Sequence, residues 1–174
     1  MGTRSVTATI RATLAMSVNN LLSDGEKTPT VDLGAALTTA LTSGTGAAQC
    51  DRGWSEYERD LASGANEALD LFDFAGRDIG AGAGNDALGQ AMALAEVVCF
   101  VVYNAGPGSL TVAPDATNGW SQIGTEVIKA GGYKLLFAPT DPAYTVVDAS
   151  SHRVNFAAAS GDCTYDVHIA GRSA

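Results

Sequence analysis

The stretch Val6-Thr7-Ala8-Thr9-Ile10-Arg11-Ala12-Thr13-Leu14-Ala15-Met16 alternates along its length. Val6, Ala8, Ile10, Ala12, Leu14 and Met16 fall on one face and Thr7, Thr9, Arg11 and Thr13 on the other, with Ala15 the one lapse. A period of two belongs to a strand with one side buried. These residues would extend about 36 Å at about 3.3 Å each, well beyond the usual strand of about five or six residues. So long a strand requires a partner, in its own sheet or on another subunit. The second option gives the chain the character of an assembly component. Val6, Ala8, Ile10, Ala12, Leu14 and Met16 are therefore the expected interface residues.

The remainder of the sequence agrees with β structure. A chain of 174 residues suits one domain that buries about 70% of its unfolded surface without a staple. It has 20 Gly, abundant Thr, Val and Ala, and only 17% charged residues, a composition for strands and turns rather than long surface helices. The formal charge of -9 repels phosphate backbones and anionic headgroups, which argues against nucleic acid and membrane as partners. Cys50, Cys99 and Cys163 form neither a CxxC pair nor an even framework, so synthesis in a reducing compartment is expected, with a Cys50 to Cys163 disulfide left open. Thr or Arg interrupts every second position near the N-terminus, unlike a secretory signal, and the apolar run at 97–103 is too short to cross a bilayer. A soluble protein is the expectation.

Turn residues divide the chain. Asn19-Asn20, residues 23–27 and Pro29 read as loop. In 31–42, the four-residue spacing of Leu33, Leu37 and Leu41 predicts a short helix, against which Thr38, Thr39 and Thr42 argue. Ser43-Gly44-Thr45-Gly46 marks the border between an N-terminal arm, 1–45, and a body, 46–174. Candidate strands in the body are 54–61, 67–72, 97–104, 110–113, 125–129, 133–138, 144–148 with 153–157, and 164–170. Gly131-Gly132 predicts a tight hairpin, residues 148–151 and 160–162 predict reversals, and 86–96 reads as a loop with one helical turn. The expected fold is all-β, a β-sandwich or jelly roll with an extended N-terminal arm strand.

Motifs for catalysis and cofactor binding are weak. Gly80-Ala81-Gly82-Ala83-Gly84-Asn85 has the wrong residue for a dinucleotide fingerprint and no βαβ context, so a surface loop is expected. Glu56, Glu58 and Asp60 alternate on one strand and would share a solvated face, with Arg52 the neighbouring cation. Asp70, Asp73 and Asp78 lack the dense spacing of a Ca²⁺ loop, and His152 and His168 belong to no zinc motif. Neither a nucleophile elbow nor a P-loop occurs, and Cys99 sits in an apolar run. No cofactor or metal is implied. Trp54 and Trp120 are candidate contacts for a partner or a glycan, the latter with the loop at 114–118, although packing is the commoner role of such rings.

From Val101-Val102-Tyr103-Asn104-Ala105, through Ile128-Lys129-Ala130-Gly131-Gly132, Leu135-Leu136-Phe137-Ala138-Pro139, Tyr144-Thr145-Val146 and Val154-Asn155-Phe156, to Cys163-Thr164-Tyr165-Asp166-Val167-His168-Ile169-Ala170-Gly171, the chain resembles small β-sandwich structural proteins of tailed bacteriophages. Cys50-Asp51-Arg52-Gly53-Trp54-Ser55 and Leu69-Asp70-Leu71 are similar to the same group. The resemblance covers roughly residues 46–172 and rests on turn glycines and strand patterns. It implies a non-enzymatic virion component made in the host cytoplasm. The expected role is a capsid decoration, or cement, protein that bridges subunits as a homo-oligomer such as a trimer, with phage capsid or tail proteins as partners. The alternatives are a tail accessory part or a fibre-tip receptor or carbohydrate-binding module, and, from another class, a small hydrolase.

Overall fold

A computed structural model of the chain describes residues 8–18, 31–74 and 91–173. Val6, the loop at 19–27, Asp78, the glycine run at 80–85 and residues 86–90 lie outside them. The described elements are β1 Ala8–Val18, β2 Val31–Ser43, β3 Gln49–Cys50, β4 Arg52–Leu61, β5 Asn66–Asp70, β6 Glu96–Pro114, a 3-10 turn Ser121–Ile123, β7 Glu126–Ile128, β8 Tyr133–Phe137, β9 Tyr144–Thr145 and β10 Arg153–Arg172. The chain is nearly all β.

Two of the expected helical features are strands or coil instead. Residues 31–42 form β2, antiparallel to β1 from Ala8 opposite Leu41 to Val18 opposite Val31. A spacing of four fits two strand periods as well as one helical turn, and Thr38, Thr39 and Thr42 tip the choice towards the extended form. No helical turn occurs in the described part of 86–96; the chain is irregular until β6 begins at Glu96.

The body is built on β6 and β10, strands of 19 and 20 residues that pair antiparallel with each other almost from end to end. The candidate strands 97–104 and 110–113 are the two arms of β6, and 153–157 and 164–170 are the two arms of β10. Residues 160–162 are thus a corner within a strand, where the register shifts between Ala158 and Cys163, and not a reversal between strands. The Phe156 and Tyr165 rings stack with centroids 5.0 Å apart. Nine residues of straight strand would separate them by about 30 Å. Strand β10 therefore folds over at this corner, and β6 folds with it.

The flanking strands turn at the same line. Strands β4 and β5 both pair with β10, on its C-terminal and N-terminal arms, and β8 and β7 pair with the corresponding arms of β6. Gly131-Gly132 is accordingly a corner between two strands that lie end to end along β6, and not a hairpin. Strands β7 and β8 run in the same direction on successive stretches of β6, so they do not lie side by side and do not pair with each other. The result is one sheet folded into a sandwich. Its inner faces meet in a core that includes Phe100, Val102, Leu110, Val112, Trp120, Val154, Phe156, Tyr165, Val167 and Ile169.

Two residues hold the corner. At Gly108 an added Cβ would lie 2.6 Å from the carbonyl oxygens of both Ser160 and Gly161, so the β6 and β10 backbones meet too closely for any side chain. Buried Asn104 donates from Nδ2 to the carbonyls of Gly108 and Ile128 at 2.9 Å, and its Oδ1 accepts from the Gly106 N–H at 2.9 Å. Its backbone also bonds Gly131 and Gly132. One amide thus ties the β6 bend to the β7–β8 corner and leaves no buried polar atom of its own unpaired.

Gly108→Ala is expected to destabilise the fold by about 2–3 kcal/mol, because backbone rather than a flexible side chain must yield. Gly64, at φ +78° with nothing within 4 Å of an added Cβ, should cost only about 1 kcal/mol as Ala, from backbone strain alone. Urea denaturation of the two variants checks the ranking, and equal losses would contradict the crowded corner.

Candidate interaction surface

The register of β1 with β2 sorts the arm into two unlike faces. Opposed pairs on one face are Ala8 with Leu41, Ile10 with Thr39, Ala12 with Leu37, Leu14 with Ala35, Met16 with Leu33 and Val18 with Val31. Pairs on the other are Thr9 with Ala40, Arg11 with Thr38, Thr13 with Ala36, Ala15 with Gly34 and Ser17 with Asp32. Directly opposed residues share a face. The arm is therefore a two-stranded ribbon, apolar on one side and small or polar on the other. Ala8, Ile10, Ala12, Leu14 and Met16 do lie together on one strand face, as alternation requires, but β1 takes its first partner from β2 of its own chain.

The ribbon is rooted in the body. Leu41 is buried with Cys50, Val98, Cys99 and Ala170 in a second apolar cluster, against which Val101, Leu135, Phe137 and Ala143 pack. Strand β3 pairs parallel with the end of β2 around the turn at 44–48, and the Ala48 N–H donates to the Pro139 carbonyl at 2.7 Å. Buried Arg172 closes the joint. It donates to Glu96 Oε2 at 2.6 Å and to the Gln49 carbonyl at 3.1 Å, and so links β10, β6 and β3 through one compensated charge.

Next to this root lies the outer face of the sheet arm formed by β4, β10, β6 and β8. Register places Tyr103 opposite Tyr133, Val101 between Leu135 and His168, and Cys99 between Phe137 and Ala170. Tyr57 sets its ring edge on His168 with centroids 4.9 Å apart, and His168 Nδ1 lies 2.9 Å from Ser55 Oγ. Tyr57, Tyr103 and Tyr133 are 66%, 40% and 69% exposed. Three tyrosines over half-buried Val101, Leu135 and Phe137 form an amphipathic platform of the composition found in protein interfaces. Sequence reading passed over these tyrosines because β4, β6 and β8 become neighbours only through pairing.

The tryptophans are elsewhere. Trp54 is buried against Phe74, and Trp120 is wholly enclosed between Phe100 and Tyr144, with its indole N–H donating to the Thr145 carbonyl at 2.8 Å. Neither ring offers a face to a glycan or a partner, which corrects their candidate role as a contact surface; both are packing residues.

Other chemically capable groups are committed to structure. Strand β4 bulges between Glu56 and Arg59, opposite Tyr165 and Val167, with Glu58 at φ +51°. The bulge breaks the alternation expected of Glu56, Glu58 and Asp60. Arg59, rather than Arg52, neutralises this region, bonding Glu56 and Glu67, while Tyr165 also donates to Glu67 and Asp60 accepts from Thr164. Its hydrogen bond to Glu67 holds the Arg59 guanidinium above its ordinary pKa. Asp70 accepts from the Phe72 and Asp73 N–H groups and pairs with buried His152 at 3.2 Å. Among the described residues no group of three or more His, Cys, Asp or Glu is placed to hold a metal.

All three cysteines are buried and free, with Cys50 beside Cys99 in the second cluster and Cys163 in the main core, so Cys50 and Cys163 do not pair. Burial pushes each thiol up in pKa, Cys99 to about 11 with a smaller contribution from Cys50.

Family models, curated proteins and solved structures yield no match to this chain.

The native thiols should therefore resist iodoacetamide at neutral pH, whereas all three react in denaturant; rapid native alkylation read by mass spectrometry would contradict this. Their folded pKa values lie above the unfolded value of about 8.5, so the folded state holds these protons more tightly. That stability is complete below about pH 8.5 and is lost as pH rises towards the folded values. The urea midpoint should fall across this window, and less steeply in Cys99→Ala.

Proposed function

We propose that the chain is a non-enzymatic structural protein of a tailed-bacteriophage virion, a cement protein that decorates the capsid and bridges neighbouring subunits. The observation that carries this reading is the one-sided ribbon rooted beside the tyrosine platform. A bridging protein needs two adhesive surfaces on one rigid body, and these differ in chemistry: an aliphatic strip on the arm and a hydroxyl-edged aromatic field on the sandwich. The resemblance of residues 46–172 to phage β-sandwich proteins supports the same role. Burial of Trp54 and Trp120 removes the rings on which a fibre-tip glycan reading depended. A place on the tail would use the same surfaces with a different neighbour.

Particles stripped of this protein and incubated with it should regain it and become harder to disrupt by heat. Tyr103→Ser with Tyr133→Ser should lower that binding tenfold or more, as expected when two aromatic anchors worth about 1–2 kcal/mol each are lost. Both side chains are partly exposed, so the melting temperature should change little. Full binding of the double variant, or absence of the protein from purified particles by mass spectrometry, would refute the reading.

A further inference from the structure

We infer that Cys50 and Cys99 are the two halves of a redox-closed staple that locks the root of the arm to the sandwich. The backbone carries Cys50 across the outer face of the sheet at the level of Cys99. On one side the Ala48 N–H donates to the Pro139 carbonyl at 2.7 Å, just past the end of β8, and the neighbouring Ala138 N–H donates to the Val98 carbonyl at 2.9 Å. On the other side the Asp51 N–H donates to the Gly171 carbonyl of β10 at 3.1 Å, and Arg172 Nε to the Gln49 carbonyl at 3.1 Å. Strand β6 runs between β8 and β10, with Cys99 opposite Phe137 on one and Ala170 on the other. Two strand spacings make about 10 Å, which three steps of extended chain cover from Ala48 to Asp51. Cys50 therefore crosses the sheet beside Ala170 and over Cys99.

Packing agrees with this path. Cys50 and Cys99 are 0% and 3% exposed and share one cluster with Leu41, Val98 and Ala170. Hydrogen bonds on both sides hold the crossing segment close to the sheet backbone, and disulfides join Cα atoms about 4.4–6.8 Å apart. Cys163 belongs to the main core near the 160–162 corner and has no part in this joint.

Closure needs a two-electron oxidant small enough to enter the joint, and hydrogen peroxide is one. The Cys50 thiolate attacks a peroxide oxygen, the O–O bond breaks, and hydroxide leaves to become water, which gives a sulfenic acid on Cys50. The Cys99 sulfur then attacks the Cys50 sulfur, the S–O bond breaks, and a second water leaves. Two thiols and one peroxide thus become one disulfide and two waters. Burial makes both steps slow, and they wait on opening of the exposed turn at 44–48. The consequence is local to the arm. The Cys50 carbonyl accepts from the Gly44 N–H at 3.2 Å and the Ala48 carbonyl from the Thr42 N–H at 3.1 Å, so fastening Cys50 to β6 fastens the end of β2. The closed loop also restricts the unfolded chain.

Peptide mapping of the full-length folded chain tests this. The chain is incubated with hydrogen peroxide at mildly alkaline pH, where more of each thiol is ionised. Catalase removes the oxidant, and the chain is then unfolded with iodoacetamide and digested without reductant. A peptide pair linked through Cys50 and Cys99, lighter by two hydrogens than the separate peptides, should dominate, with Cys163 alkylated. Dithiothreitol should release the link, and the oxidised chain should show a higher urea midpoint than the reduced one. Cys163→Ser should still form the link, whereas Cys50→Ser and Cys99→Ser should give no intramolecular link, with thermal denaturation confirming that each variant is folded. Peroxide treatment in denaturant should scatter the pairing over all three cysteines. Three alkylated thiols in the peroxide-treated folded chain, sulfinic acid in place of the link, or a dominant link through Cys163 would overturn the inference. None of these outcomes bears on what the arm or the platform binds.

Discussion

The close passage of β6 over β10 at Gly108 is the contact on which the architecture depends. Two strands of 19 and 20 residues would make a flat sheet with two open faces unless they bend together. Bending requires their backbones to approach where Gly108 faces the carbonyls of Ser160 and Gly161. Once the bend is made, Phe156 reaches Tyr165 and the arms share one core. Register shifts accumulate there because outer and inner strands of a folded sheet cover different lengths around the corner. Asn104 serves the same bend with three side-chain hydrogen bonds, each worth about 1 kcal/mol net and more if its partner were left buried and unpaired.

A second apolar cluster on the outside of the sandwich connects this body to the arm. Strand β6 gains one residue against β10 between Val97 and Cys99, so Val98 and Cys99 both join the outer cluster while Val97 and Phe100 join the core. That irregularity creates the seat for Leu41. Strand β2 ends at this seat, and Arg172 joins β10 to Glu96 and to the Gln49 carbonyl beside it. The tyrosine platform and the end of the ribbon thus meet at one joint, where Leu41, Cys50, Val98, Cys99 and Ala170 are buried together.

The buried polar residues Asn104, His152 and Arg172 all have partners within the fold, and the Glu56–Arg59–Glu67–Tyr165 and Asp70–His152 groups close internal joints. The large apolar or aromatic side chains left exposed among the described residues are Tyr57, Tyr103, Val127, Tyr133 and Val147. Burial of such rings and aliphatic groups releases free energy roughly in proportion to the apolar area removed from water.

Alternation along β1 made the strand and its apolar face legible in the sequence, and scattered Gly, Ser and Asn marked the corners, because period and turn propensity are local properties of the backbone. Class of fold followed from them. What each corner joined was not legible: Gly131-Gly132 and Ser160-Gly161-Asp162 look the same locally whether they close a hairpin or bend a continuous strand. Leu33, Leu37 and Leu41 were ambiguous for a related reason, since four residues complete two strand periods as well as nearly one helical turn. Only pairing decides such cases. Pairing also brought Tyr57, Tyr103 and Tyr133 from three strands onto one face and sealed Trp54 and Trp120 inside, because burial depends on which distant segments come together and no single segment carries that information.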